Sequence, residues 1–250
     1  MAKTPKTPKT PTAQVAGRLV VLAVLGVLGV LGAAAMSMHQ QLFLLCVRNA
    51  PPTPPLPYDA EVEYLQSTGT QHINTGIYAR DGLLVSIRAM VTVNPSSTQK
   101  YWFRGPGSGS RSAFGMYDNI TDRTLRFASN TSAFGSSTFV ISNNTWYDVV
   151  LCSAANNKYA TVGGATVYEQ VNSRAGVATS PVYLYASNNG TLPHDGLRVA
   201  SFSVRDAGTD EVLIDLIAVR KDGVGYMYDR VSGNLLGNSG TGDFGIGPDK

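Results

Sequence analysis

The chain is predicted to be all-β: a two-sheet antiparallel β-sandwich preceded by one apolar N-terminal helix. Three observations lead there. Beyond residue 58 no run of helical period exceeds about two turns. Roughly a dozen short runs of alternating or continuous apolar residues recur instead, separated by Gly, Asn and Pro turns. A single long apolar run without charge lies near the N-terminus. The composition agrees: 43% apolar and 15% charged residues, with 26 Gly and 12 Tyr, suit strands and turns better than helices.

Several function classes are excluded early. The chain is too apolar to be disordered. Two cysteines cannot build a disulfide scaffold or a four-thiolate zinc site, and three histidines leave little for a metal centre. The formal charge of +3 is unevenly placed. Lys3, Lys6, Lys9, Arg18 and Arg48 stand without any acid in the first fifty residues, and the remainder is slightly acidic. The body therefore has no electrostatic reason to bind a nucleic acid.

The N-terminal organisation has three parts. Residues 1–18 form a basic Lys-Thr-Pro tail with no apolar face, expected to be extended and solvated. Residues 19–47 form the apolar segment. Leu19 to Met38 holds no charge, and twenty residues at the helical rise span roughly 30 Å, a bilayer core. With the basic residues almost all before it, the N-terminus is expected in the cytoplasm and the body outside. The segment reads either as a retained transmembrane anchor or as a cleaved signal peptide ending at Ala33-Ala34-Ala35. Both export the body, so the protein is expected to be membrane-anchored through residues 19–47 with its C-terminal domain outside the cytoplasm, or secreted. Residues 48–57 form a proline-rich linker, stiff because proline fixes φ and lacks a donor. Cys46 and Cys152 read as separate free thiols.

The body, residues 58–250, is expected to be one domain. In Leu83–Val93 every odd position is apolar, while the even positions include Ser86, Arg88 and Thr92; this is a strand with one buried face. Trp146–Ser153 is apolar on both faces and reads as a central strand with Trp146 in the core. Val182, Leu184 and Ala186 alternate with Tyr183, Tyr185 and Ser187. Ala200, Phe202 and Val204 alternate with Ser201, Ser203 and Arg205. Val212–Val219 adds another run whose only charge is Asp215. Asn143-Asn144, Gly163-Gly164, Asn188-Asn189-Gly190, Asp195-Gly196 and Asp222-Gly223 mark turns between them.

The opening Glu61-Val62-Glu63-Tyr64-Leu65-Gln66-Ser67-Thr68-Gly69-Thr70-Gln71-His72-Ile73-Asn74-Thr75-Gly76-Ile77 resembles the start of laminin-G-like jelly-roll domains of the concanavalin A-like lectin/glucanase superfamily. Leu197–Phe202, Leu213–Arg220, Gly225–Gly233 and Gly240–Phe244 resemble the closing strands of the same family. The resemblance covers nearly all of 58–250 and is loose in the middle, where loops would carry a ligand. It implies a jelly-roll sandwich in a bacterial or phage surface protein. The expected role is a non-enzymatic binding or adhesion module for an extracellular glycan or protein. The alternatives are a structural component of a phage virion or cell envelope, acting through protein contacts, and a divergent glycoside hydrolase.

Glycosidases of that superfamily carry carboxylates two apart on one strand, an arrangement that supports retaining chemistry. The body shows no such pattern: Glu61 and Glu63 sit at the domain edge, and Asp210-Glu211 are adjacent. His194-Asp195 reads as turn chemistry. For a glycan, an exposed aromatic ring beside planar polar groups is needed. The candidates are Tyr101, Trp102, Arg104, Tyr117, Asp118 and Asn119, with Trp102 and Arg104 expected on one strand face and Tyr101 and Phe103 on the other. No cofactor is expected. Laminin-G-like domains sometimes bind calcium, which takes six to eight oxygens. Asp118 and Asp122 are the metal candidates in a segment that otherwise reads as a solvated turn.

Overall fold

The computed structural model describes residues 55–250, except 95–98, 107–112, 132–133, 155–156, 171–177, 179 and 188–189. The basic tail, the apolar segment 19–47 and most of the linker lie outside the described residues, as do Cys46 and the tip of the loop Gly105–Arg111. Among the described residues no helix is long and apolar enough to cross a membrane.

Leu56–Lys250 is a compact unit built of two antiparallel sheets. The strands are numbered in chain order. The large sheet runs β11 (Ala165–Gln170), β10 (Asn157–Val162), β9 (Trp146–Ala154), β4 (Leu83–Val91), β13 (Asp195–Asp206), β14 (Val212–Lys221), β15 (Val224–Asp229) and β16 (Leu235–Leu236). Short β1 (Ala60–Glu61) pairs with β14, and β2 (Leu65–Thr68) joins β13 to β17 (Gly245–Ile246). The small sheet runs β3 (Ile73–Tyr78), β12 (Pro181–Leu184), β5 (Lys100–Pro106), β6 (Ala113–Asp118), β7 (Thr124–Thr131) and β8 (Gly135–Val140). The first and last segments of the domain meet: Val62 bridges Asp249, and Lys250 donates its N–H to the Glu61 carbonyl at 2.9 Å.

The period-2 pattern explains the sandwich. Leu83, Val85, Ile87, Ala89 and Val91 of β4 are buried, as are Val149 and Leu151 of β9 and Leu197, Val199, Phe202 and Val204 of β13. They join Phe103, Phe114, Met116, Leu125 and Phe127 of the small sheet in one core. Each large side chain buried there contributes about 1.5–3 kcal/mol. Two turns legible in the sequence close hairpins. Gly163-Gly164 (φ 57° and 84°) and Asp222-Gly223 (φ 50° and 78°) place both central residues in the left-handed region, which a two-residue type I′ turn requires.

The strict alternation expected of two strands fails where a bulge intervenes. In β13 the register shifts between Val199 and Ser201, so Val199 and Phe202 both face the core although they are three apart. In β5 the register shifts between Tyr101 and Phe103. Trp102 is the extra residue, and both Trp102 and Phe103 are fully buried. A bulge adds one unpaired residue and reverses the facing of all that follows.

At one surface loop Arg80 binds Asp206 at 2.7 Å. Hydrogen bonds from Arg80 and from the Gly208 and Thr209 amides hold the Asp206 carboxyl at a pKa of about 2. The folded value lies below the unfolded one of about 3.9. The stabilisation is therefore present above pH 4 and is lost as pH falls towards 2. In urea titrations, wild type and Asp206→Asn are expected to differ at pH 6 and to converge at pH 2; a gap that persists at pH 2 would rule the carboxylate out as its source.

Candidate functional site

The sequence candidates separate into three environments. Trp102 lies in the core at 0% exposure, so it cannot serve as a stacking surface, contrary to the expectation that it shares a face with Arg104. The bulge instead brings Tyr101, Arg104 and Tyr117 together on the outer face of the small sheet. Tyr101 and Tyr117 are cross-strand partners with ring centroids 5.3 Å apart. The Arg104 guanidinium lies 4.9 Å above the Tyr101 ring and donates to the Tyr101 hydroxyl at 3.1 Å and to Ser187 Oγ at 3.0 Å. Phe134 packs edge-on against both tyrosines. The two rings are 2% and 7% exposed, and burial raises both phenol pKa values above the ordinary range. They form a closed aromatic layer rather than an open plate.

Asp118 is wholly buried at the end of β6. Its two oxygens meet Arg123 at 3.0 Å and His194 Nε2 at 3.1 Å. Arg123 also donates to Asn143 at 2.7 Å. This is a structural knot that ties the β6–β7 turn to the segment entering β13. His194 is thus paired with Asp118. Asn119 caps its own turn by accepting the Thr121 N–H at 3.0 Å. Asp122 accepts from Thr124 and binds Arg126 at 2.8 Å. With Asp118 and Asp122 committed to cationic and hydroxyl partners, the loop does not assemble the oxygen cage that calcium requires. Among the described residues no cluster of three or more His, Cys, Asp or Glu could hold a metal.

An open polar surface lies elsewhere, on the outer face of the large sheet. The register places Trp146 opposite Met90, Asp148 opposite Arg88, and Ser86 opposite both Val150 and Ser203. Ser203 in turn faces Asp215 across β14. Small serines on the two central strands, β4 and β13, thus form a floor between bulkier neighbours on β9 and β14. The result is a hollow of about 530 Å³. Its rim carries three ion pairs: Arg88–Asp148 at 2.6 Å, Arg230–Asp215 at 2.7 Å and Arg205–Asp210 at 3.4 Å. A second hollow of about 360 Å³ adjoins it and shares Arg88 and Ser201; Trp146, Glu63 and Lys250 line it.

Trp146 is half-buried, not in the core as its apolar surroundings in sequence suggest. The Arg88 guanidinium sits 5.6 Å from its ring centroid, and Tyr64 lies 6.1 Å away. Arg198 covers Tyr64 at 4.3 Å and donates to Gln66 at 2.7 Å. A signal was present: Trp146 has the parity of Asp148, which as a charged residue points outward. Tyr64, Arg198 and the serine floor carried no such signal, because they converge only through strand pairing.

No protein-family model matches the chain, and no curated protein matches its sequence. Solved structures do resemble it. A candidate carbohydrate-binding protein from Bacteroides ovatus superposes with a TM-score of 0.53 at 12% identity, over 74% of this chain and 60% of that one; the chain thus spans less than two thirds of that relative. The heptameric SAP-like pentraxin of Limulus polyphemus aligns over 79% of this chain and 93% of its own, at 13% identity and a TM-score of 0.41. Trypanosoma rangeli sialidase aligns at 13% identity and 0.41 over 68% of this chain and 37% of its own. At such identities the first likeness shows a shared β-sandwich fold, on which many functions are built.

Proposed function

We propose that residues 58–250 form a non-enzymatic carbohydrate-binding module of the laminin-G-like jelly-roll type, displayed outside the cytoplasm by the N-terminal segment and acting in adhesion. The observation that carries this reading is the half-open Trp146 ring, flanked by Tyr64 and Arg88 at the end of a polar hollow. A sugar presents C–H faces that stack on such a ring and hydroxyls that bind planar polar groups, and this surface supplies both. The description of the Bacteroides ovatus neighbour as a candidate carbohydrate-binding protein points the same way.

The separation of Asp148 and Asp215 favours binding over hydrolysis. Asp148 on β9 and Asp215 on β14 are three strand spacings apart, roughly 14 Å. Glycosidic chemistry needs a pair about 5–9.5 Å apart. Each is also held in an ion pair by an arginine.

The test is a glycan array probed with the full chain, with calcium and with chelator. Selective binding is expected to persist in chelator and to weaken about tenfold or more in Trp146→Ala, a loss of about 1.4 kcal/mol or more. Binding indifferent to Trp146→Ala would move the site elsewhere; a blank array from folded protein would move the function to protein–protein assembly.

A further inference from the structure

We infer that the Trp146 surface takes an extended, uncharged polysaccharide chain laid along the strands, rather than a terminal sugar or an acidic glycan. The inference rests on the carbohydrate-binding reading and adds the ligand's charge and length. Charge is argued from the rim. The larger hollow is lined by Arg88, Arg205 and Arg230 and by Asp148, Asp210 and Asp215. Every one of these cations faces one of these carboxylates within 3.4 Å. The balance is zero, so a uronate, sialate or sulfate brought into the hollow would gain a guanidinium only by breaking an existing pair and exposing itself to the displaced aspartate. A hydroxyl meets no such conflict. The pairs remain partly solvated, with side-chain exposures of 47% for Arg88 and 64% for Asp148. Each guanidinium retains N–H donors beyond those its aspartate uses, and each carboxylate retains acceptor sites. A donor and an acceptor side by side match the two neighbouring hydroxyls of a sugar ring.

Length is argued from the register. Arg205 lies opposite Leu84, and Trp146 lies opposite Met90. Between those ends the two hollows run on, meeting at Arg88 and Ser201. Six residues of strand span roughly 20 Å, several sugar rings in a row. Ser86, Ser201 and Ser203 keep the floor low along this path. One sugar against Trp146 would leave most of the surface wet.

The experiment is a fluorescence titration of the full-length protein. The chain has two tryptophans; Trp102 is sealed in the core, so ligand-dependent change reports Trp146, and Trp146→Phe checks this. Probes are neutral gluco-, xylo- and manno-oligosaccharides of two to eight units, with oligogalacturonates as the acidic series. Affinity for one neutral series is expected to rise at least tenfold from dimer to hexamer. It should change less than about twofold between 50 and 500 mM salt, since no net charge is neutralised. Ser203→Phe, and independently Ser86→Phe, place a ring on the solvent-facing floor of a strand that tolerates aromatics. Either is expected to abolish the gain in affinity with length. Affinity flat with length, or salt-sensitive binding of the galacturonates, would overturn the inference while leaving a carbohydrate-binding module. The absence of a response to every neutral and acidic series would overturn the Trp146 site, and together with a blank glycan array it would overturn the carbohydrate reading itself.

Discussion

Replacing Trp102 by alanine is expected to destabilise the fold by about 3–5 kcal/mol, the range for removing a buried large aromatic. The ring is completely enclosed and belongs to the core shared by both sheets. No rearrangement of the bulged β5 strand can fill that space, because Phe103 beside it is already packed against Phe114 and Phe202. The indole N–H has no hydrogen-bond partner among the described residues, so Trp102→Phe should be far milder: it keeps most of the volume and removes an unpaired donor. Chemical denaturation of the two variants separates these effects. Equal, large losses would show that the N–H does find a partner. A loss under 1 kcal/mol in Trp102→Ala would contradict the packing described. Trp146→Ala, by contrast, is expected to leave the midpoint nearly unchanged and to act on binding.

Asp118→Ala is expected to cost a similar amount, about 3–5 kcal/mol, by a different route. It would leave Arg123 and the buried His194 without their carboxylate partner, and breaking a buried pair from one side is worth that much. Side-chain exposure is 0% for both Asp118 and His194 and 17% for Arg123, so water can reach only the guanidinium. Asp118→Asn keeps an acceptor for one partner and should recover part of the loss. A double-mutant cycle with Arg123→Met tests whether the damage is the orphaned cation: the double variant should be more stable than Asp118→Ala alone. If it is less stable, the aspartate works through His194 or through packing.

The two variants also show where the sequence speaks and where it falls silent. Alternation in Leu83–Val93 and Val212–Val219, with Gly163-Gly164 and Asp222-Gly223 between runs, was enough to read an all-β domain with antiparallel neighbours. These signals are local: a strand's parity and a turn's φ are set by a few consecutive residues. The same reasoning put Trp102 on the strand face of Arg104 and Trp146 in the core; the bulge parts the first pair, and Trp146 is half-buried. A bulge at Trp102 is invisible in a run of three aromatics, since Tyr101, Trp102 and Phe103 would each be content inside. Trp146 was read from its apolar followers, although its parity with Asp148 pointed the other way.

What the sequence by itself determined is the all-β class, the main strands, the hairpin turns at Gly163-Gly164 and Asp222-Gly223 and the face that each regular strand buries; Asp195-Gly196, read as a turn, instead opens β13. The candidate site belongs to the tertiary structure alone. Arg88, Asp148, Ser203 and Asp215 come from four strands, β4, β9, β13 and β14, spread over more than 120 positions, and meet only because those strands pair in one register. Likewise Asp118 and His194 lie 76 residues apart and find each other only inside the folded domain. Hydrophobic periodicity states which side of a strand is dry. It does not state which strands are neighbours, and a polar surface is defined by neighbours, because its charges act through distances across the sheet.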